Sequence, residues 1–338
     1  MHRQLVRTLP LTLGLLVSLI SITASAQYTS INLDSNQSGK ARHTDPLLIN
    51  PWGLAYAPGG AFWVSDAGSG YSTLYDGQGN PQALQVVIPP ASGSGLGSPT
   101  GIVYNGSQEF QIDTWPSAFI FASLDGTISG WSHFEPDNAL IGTVQTGAVY
   151  TGLAITSHTS GNTLYAADIA NNKVDMFDGT FKLIGSFTDT SLPAGWAPFG
   201  IQDIDGHVLV AFAPTDESAN GVIDVYTEAG VFVKHFAQGA PLAQPWGFAV
   251  APKNFGPLSG TLLVSNNTNT GTINGFDLKT GKFVGTVNNA AGKPIVINQL
   301  WGIEFGGGSS ANGATNHLYY TAGPDNNLDG IFGALGIK

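Results

Sequence analysis

"NPWGLAYAP" (residues 50–58) returns almost unchanged as "QPWGFAVAP" (residues 244–252): an amide side chain, then Pro-Trp-Gly, an apolar residue and Ala. Self-similarity at a period of tens of residues marks a repeat architecture. Aligned on its glycine, the phrase occurs six times. It falls at Gly53, at Gly101 in "SPTGIVYNG", at Gly152 in "VYTGLAITS", at Gly200 in "APFGIQDID", at Gly247, and at Gly302 in "NQLWGIEFG". The intervals are 48, 51, 48, 47 and 55 residues, too even for chance.

Every copy continues alike. A second apolar segment follows: "AFWVSD", "AFIFAS", "NTLYAAD", "HVLVAFA", "GTLLVSN", "NHLYYTA". A polar Gly- or Asn-rich loop leads to a third: "STLYDG", "TISGWS", "KVDMFDG", "GVIDVYT", "TINGFD", "LDGIFG". A tight turn then opens a fourth: "LQVVIP", "LIGTV", "LIGSFT", "VKHFA", "FVGTV". Short alternating runs bounded by turn residues read as strands. Four strands in each of six repeats predict an all-β, six-bladed β-propeller of antiparallel four-stranded blades. The blades fall near 50–90, 98–147, 149–190, 197–240, 244–290 and 298–338. The sixth lacks a fourth strand, while "YTSINLDSN" (28–36) precedes the first copy unclaimed. Residues 28–34 are therefore expected to complete blade six and close the ring, leaving no open edge there. The repeat glycine is expected where backbones crowd the axis and a Cβ is unwelcome.

Composition bounds the rest. Residues 1–26 carry Arg3 and Arg7, an apolar run from Leu9 to about Ile22, and Ala24-Ser25-Ala26. This is the pattern of a secretory signal peptide, which implies export to a periplasmic or extracellular space. Its removal leaves 312 of the 338 residues as one domain with no apolar stretch of membrane-spanning length. The chain has no cysteine, so a large core rather than disulfides must hold it. Without the leader, 10 basic residues stand against 23 acidic ones, and Arg42 is the one arginine left. Nucleic acid and anionic lipid need a positive footprint, so neither is an expected partner.

Blade three, "NTLYAADIANNKVDMFDGTFKLIGSF" (162–187), resembles the NHL-type propeller repeat. The whole mature chain resembles a family of exported bacterial propellers of unknown activity, known as conserved hypothetical proteins. That likeness rests on "NPWGLAYAP", "FGPLSGTLLVSNN", "INGFDLKTGKFVGTV", "LWGIEFG" and "LYYTAGPDNNLDGIFG". Some members of such families carry a C-terminal sorting tail; this chain ends "IFGALGIK". The resemblance implies the fold and export, and no reaction.

Propeller sites usually lie where loops converge on the channel mouth. The residues before the repeat glycines include Trp52, Phe199, Trp246 and Trp301. They form either a stacking platform for a sugar or other flat ligand, or packing between blades. Loop oxygens at Asp66, Asp125, Asp168, Asn171, Asn172, Asp216, Glu217, Asn266, Asn267 and Asp325 either ring a Ca²⁺ ion or simply build turns. "DNNLDG" (325–330) offers Asp325, Asn327 and Asp329 at calcium-loop spacing, but position twelve is Gly336 rather than Glu. Glu304 stands in an innermost strand where other copies have Ala, Val or Gln. With Gln202 it is similar to the metal-centred glutamate of propeller lactonases, or it is a channel-lining carboxylate. No histidine pair has metal spacing and no cofactor is called for. The leading expectation is a binding module taking a small molecule, glycan or protein at the loop face. The alternatives are a metal-dependent lactonase or lyase-like enzyme, with Glu304 as its catalytic residue, and a structural scaffold.

Overall fold

The computed structural model describes residues 27–156 and 161–337. The signal-peptide reading lies outside the described residues, as does His158. Six small antiparallel sheets stand in a ring, and each carries the strands expected of it. The innermost strands are Pro51–Tyr56, Pro99–Tyr104, Tyr150–Ile155, Trp196–Ile204, Pro245–Val250 and Leu300–Phe305. Each lies against the next, and the sixth lies against the first. The fold is a closed six-bladed β-propeller.

Closure follows the predicted route. Tyr28–Ser35 pairs antiparallel with Ile331–Ile337, from Tyr28 opposite Ile337 to Ser35 opposite Ile331, with a bulge between Asn32 and Asp34. The short segment His43–Thr44 adds a parallel edge outside it. Blade six is thus assembled from both ends of the domain.

The repeat glycines are forced by close approach, since none has a positive φ. A Cβ on Gly200 would lie 2.0 Å from the Trp246 carbonyl oxygen, and one on Gly101 would lie 2.3 Å from the Leu153 nitrogen. The same seam is stitched by hydroxyls. Thr151 Oγ1 donates to the Phe199 carbonyl at 2.8 Å and Ser265 Oγ to the Trp301 carbonyl at 2.6 Å. The Thr321 hydroxyl bonds the Trp52 carbonyl. Neighbouring blades are therefore joined through backbone at the axis and through apolar clusters further out, such as Trp63, Phe119 and Trp131 between blades one and two.

The middle of the third strand is a polar slot. Thr73, Ser129, Asp175, Asp224 and Asn274 occupy it, each at most 1% exposed. A buried polar group usually finds a partner, and blades one, three and five each find a different one. Thr73 Oγ1 donates to Asp66 at 2.7 Å, the Tyr150 hydroxyl and the Lys173 ammonium serve Asp175, and Thr286 donates to Asn274.

Candidate functional site

The four predicted ring aromatics meet, and they meet as a plug. Trp52 and Trp301 stack with centroids 3.5 Å apart and planes at 17°. Trp246 sets its edge against both, at 6.1 and 5.7 Å, and Phe199 closes the group at 6.4 Å from Trp52 and 5.6 Å from Trp301. Ala67, Ala213, Leu124 and Ile169 pack around them. None of the four exceeds 8% exposure, so their faces are spent on one another. Each indole N–H is also satisfied. Trp52 donates to Asn50 Oδ1 and Trp301 to Asn327 Oδ1, while Trp246 reaches across the axis to the Thr151 carbonyl at 2.9 Å.

Behind the plug the channel narrows between the repeat glycines to a cavity of about 40 Å³, room for a few waters. Glu304 borders it at its deeper end. Three residues further along its strand than Trp301, it sits roughly 10 Å deeper at ~3.3 Å per residue, toward the opposite mouth. There it lines a second cavity of about 220 Å³ with Gln202, Tyr56 and Tyr104. The structure thus brings Glu304 and Gln202 together but sets them at the far end from the loop oxygens expected to help them. The carboxyl opens only onto the channel, and burial pushes its pKa up to about 7, against one lowering hydrogen bond from the Phe305 N–H. Burial, with the Glu304 charge adding, pushes Tyr56 up to about 12. Among the described residues, Glu304 is the one carboxylate lining either channel cavity.

The calcium-spaced residues turn to separate partners. Asp325 is exposed. Asn327 holds the Trp301 indole, and Asp329 Oδ1 accepts from Asn36 and Gln37 next to the closing strand. Several loop oxygens build turns. Asp168 Oδ1 accepts the N–H groups of Ala170 and Asn171, Asp216 Oδ1 that of Ser218, and Asp125 Oδ1 that of Thr127; Asp168 and Asp125 also tie neighbouring loops through the N–H groups of Val149 and Ala91.

Sequence reading missed a second aromatic feature. Between the first two strands of blade two, Gln111–Ile112 and Trp115–Pro116 pair as a small hairpin. Its two-residue turn puts both Asp113 (φ 48°) and Thr114 (φ 76°) in the left-handed region, a demand of the tightest hairpins and a strained one for β-branched Thr. Trp115 stacks on Phe134 of the following loop, centroids 3.6 Å apart at 23°. They remain 45% and 47% exposed. With Asp113, Ser132, Glu135 and Asn138 they border a cavity of about 210 Å³. Asn105 Nδ2 holds the hairpin base through the Glu109 and Ser117 carbonyls, and Trp131 Nε1 holds the facing loop through the Pro136 carbonyl. Trp115 and Phe134 thus form an aromatic patch open to solvent on anchored loops.

Two curated proteins of Acanthamoeba polyphaga mimivirus resemble the chain along most of its length. Uncharacterized protein R648 is 30% identical over 330 residues, covering 90% of this chain and 78% of that protein. Uncharacterized protein L690 is 32% identical over 327 residues, covering 90% and 84%. The chain belongs to the R648/L690 family. These relatives are viral, so the expected bacterial kinship is not what they carry, and no family model, NHL-type or other, matches. Among solved structures, virginiamycin B lyase from Staphylococcus aureus is similar with a TM-score of 0.56 at 12% identity, covering 93% of this chain and all of that one. A glucose dehydrogenase is similar with a TM-score of 0.56 at 13% identity, over 92% and 100%. At such identities the likeness is one of fold.

Proposed function

We propose that this R648/L690-family propeller is an exported binding protein whose ligand is a carbohydrate, held at blade two by Trp115 and Phe134. Export rests on the reading of residues 1–26. The observation that carries the ligand class is the stacked, half-exposed aromatic pair beside an acid- and amide-rimmed cavity. An aromatic face takes the C–H face of a sugar ring, while carboxylate and amide groups at its rim accept and donate to hydroxyls. A cavity of about 210 Å³ suits one residue of a glycan rather than a large ligand. Residues 98–147 contain five acidic and no Lys or Arg residues, which favours neutral or cationic sugars over anionic ones. The plugged channel supports binding over channel-centred catalysis at the loop face.

A glycan array probed with the purified mature chain tests this, paired with Trp115→Ala. Wild-type binding to neutral or amino sugars, lost in a variant that melts at the wild-type temperature, supports the reading. Wild-type silence across the array, or undiminished binding by Trp115→Ala, overturns it.

One observation favours a second reading, acid–base chemistry at the opposite mouth. A carboxyl held near pKa 7 is matched to proton transfer at neutral pH. Turnover of a lactone or other labile ester, lost in Glu304→Gln with a pH profile turning near 7, is its test.

A further inference from the structure

Blade four fills its polar slot in a way that leaves charge unanswered. Asp224 is fully buried and lies directly across from His235 on the outer strand, with Oδ1 2.7 Å from Nδ1. A second carboxylate comes from the linker into blade four: Asp189, 7% exposed, whose Oδ2 is 3.7 Å from the same nitrogen. Blade three resolves the equivalent position differently, for Asp175 has the Lys173 ammonium at 2.7 Å. Blade four has Val222 where that lysine would be, and adds an acid. The neighbouring Lys234 is turned away, donating to the Lys279 carbonyl. Two carboxylates therefore share one imidazole.

Three buried oxygens at this spot make no hydrogen bond of ordinary length and angle: Asp189 Oδ2, Asp224 Oδ2 and the hydroxyl of Tyr226. Tyr226 is 1% exposed and two residues along from Asp224, hence on the same face of the strand. Buried oxygens of this kind call for an unseen ion or proton.

We infer that Asp189, Asp224 and His235 form a site for a divalent transition metal ion of the Zn²⁺ class on the rim between blades three and four. One ligand atom from each lies within 4.8 Å of the others. The 2.7 and 3.7 Å separations from His235 bracket the ~3.3 Å edge of a tetrahedron with bonds of about 2.0 Å. One imidazole and two carboxylates suit Zn²⁺, Co²⁺ or Mn²⁺; Ca²⁺ needs six or more oxygens. The side chain of His235 is 43% exposed, which leaves an open side where water completes the shell. The ion displaces the proton at Nδ1 and ties the Asp189 linker to the outer strand. Sequence inspection could not find this set, because its members come from three segments joined only by folding.

The test uses the untagged mature chain stripped with chelator and titrated with Zn²⁺ alone at pH 7.5, then with Co²⁺ for its visible spectrum. The inference expects one ion per chain, a tetrahedral-type Co²⁺ absorption, and a Tm that rises with Zn²⁺. His235→Ala, at a half-exposed position that folding tolerates, should weaken binding at least tenfold and abolish the Tm shift. Asp189→Asn should do the same from the other wall. No stoichiometric uptake by the wild type, or equal uptake by His235→Ala, overturns the inference.

Discussion

The repeat glycine shows how one residue type reports backbone geometry. A methyl on Gly200 meets a neighbouring carbonyl at 2.0 Å, whereas one on Gly185, in an outer strand, meets nothing within 4 Å. Gly200→Ala should therefore cost about 2–4 kcal/mol, because backbone rather than a flexible side chain must yield. Gly185→Ala should be neutral or slightly stabilising. Denaturant melts of the pair check this; equal effects would contradict the close-approach account. Such glycines were legible in the sequence because every blade needs one at the same place. Glu304 was legible only as an oddity, since its depth is set by strand direction and by what the other five strands omit. Its folded pKa of about 7 lies above the ordinary 4.5, so the folded state holds the proton more tightly than the unfolded chain. The stability this gives is full below pH 4.5 and is lost as pH rises through 7. Glu304→Gln should thus be more stable than wild type at pH 8, by roughly 2 kcal/mol once channel water is allowed for. The gap should vanish near pH 4.5, as melts across that range would show.

At the scale of elements, the two aromatic groups make opposite predictions. Trp246 is buried, wedged edge-on against two indoles and bonded across the axis. Trp246→Ala should cost about 3–5 kcal/mol, with a matching fall in the denaturation midpoint. Trp115 is half exposed, so its truncation should leave the midpoint within about 0.5 kcal/mol of wild type. The hairpin that carries it contains its own strain, and Thr114→Gly should stabilise the fold by about 1 kcal/mol. The sequence made the four strands of each blade readable through alternation and turn residues. It hid the hairpin, because two-residue strands are too short to show alternation and neither Asp113 nor Thr114 is a glycine. The Asp224–His235 pairing was hidden for a related reason: the outer strand bulges on both sides of Asp224, so its register cannot be counted from the turn. Outer strands also expose apolar residues such as Ile184, Phe232 and Phe283. Lys182, Lys234 and Lys282, all exposed beside them, guard those edges against pairing.

The whole molecule balances acids of two kinds. Asp34, buried in the closing strand, is pushed up to about 7 by burial, with the Asp45 charge adding. With Glu304 it disfavours the folded state as pH rises from about 4 to 7. Asp76 and Asp178 are lowered by the hydrogen bonds of their turns, so what they contribute is lost only below the ordinary 3.8. Thermal melts in chelator should therefore peak between roughly pH 4 and 6 and decline toward pH 8; a maximum above pH 7 would refute this balance. The pairing of Tyr28–Ser35 with Ile331–Ile337 carries a consequence for synthesis. Ile331–Ile337 become the interior of a sheet, between Leu318–Ala322, made just before them, and Tyr28–Ser35, made at the start of the domain. Until they arrive, the first strand waits without its antiparallel neighbour. A chain cut just before Ile331 would lose the middle of a blade, and the seam with it.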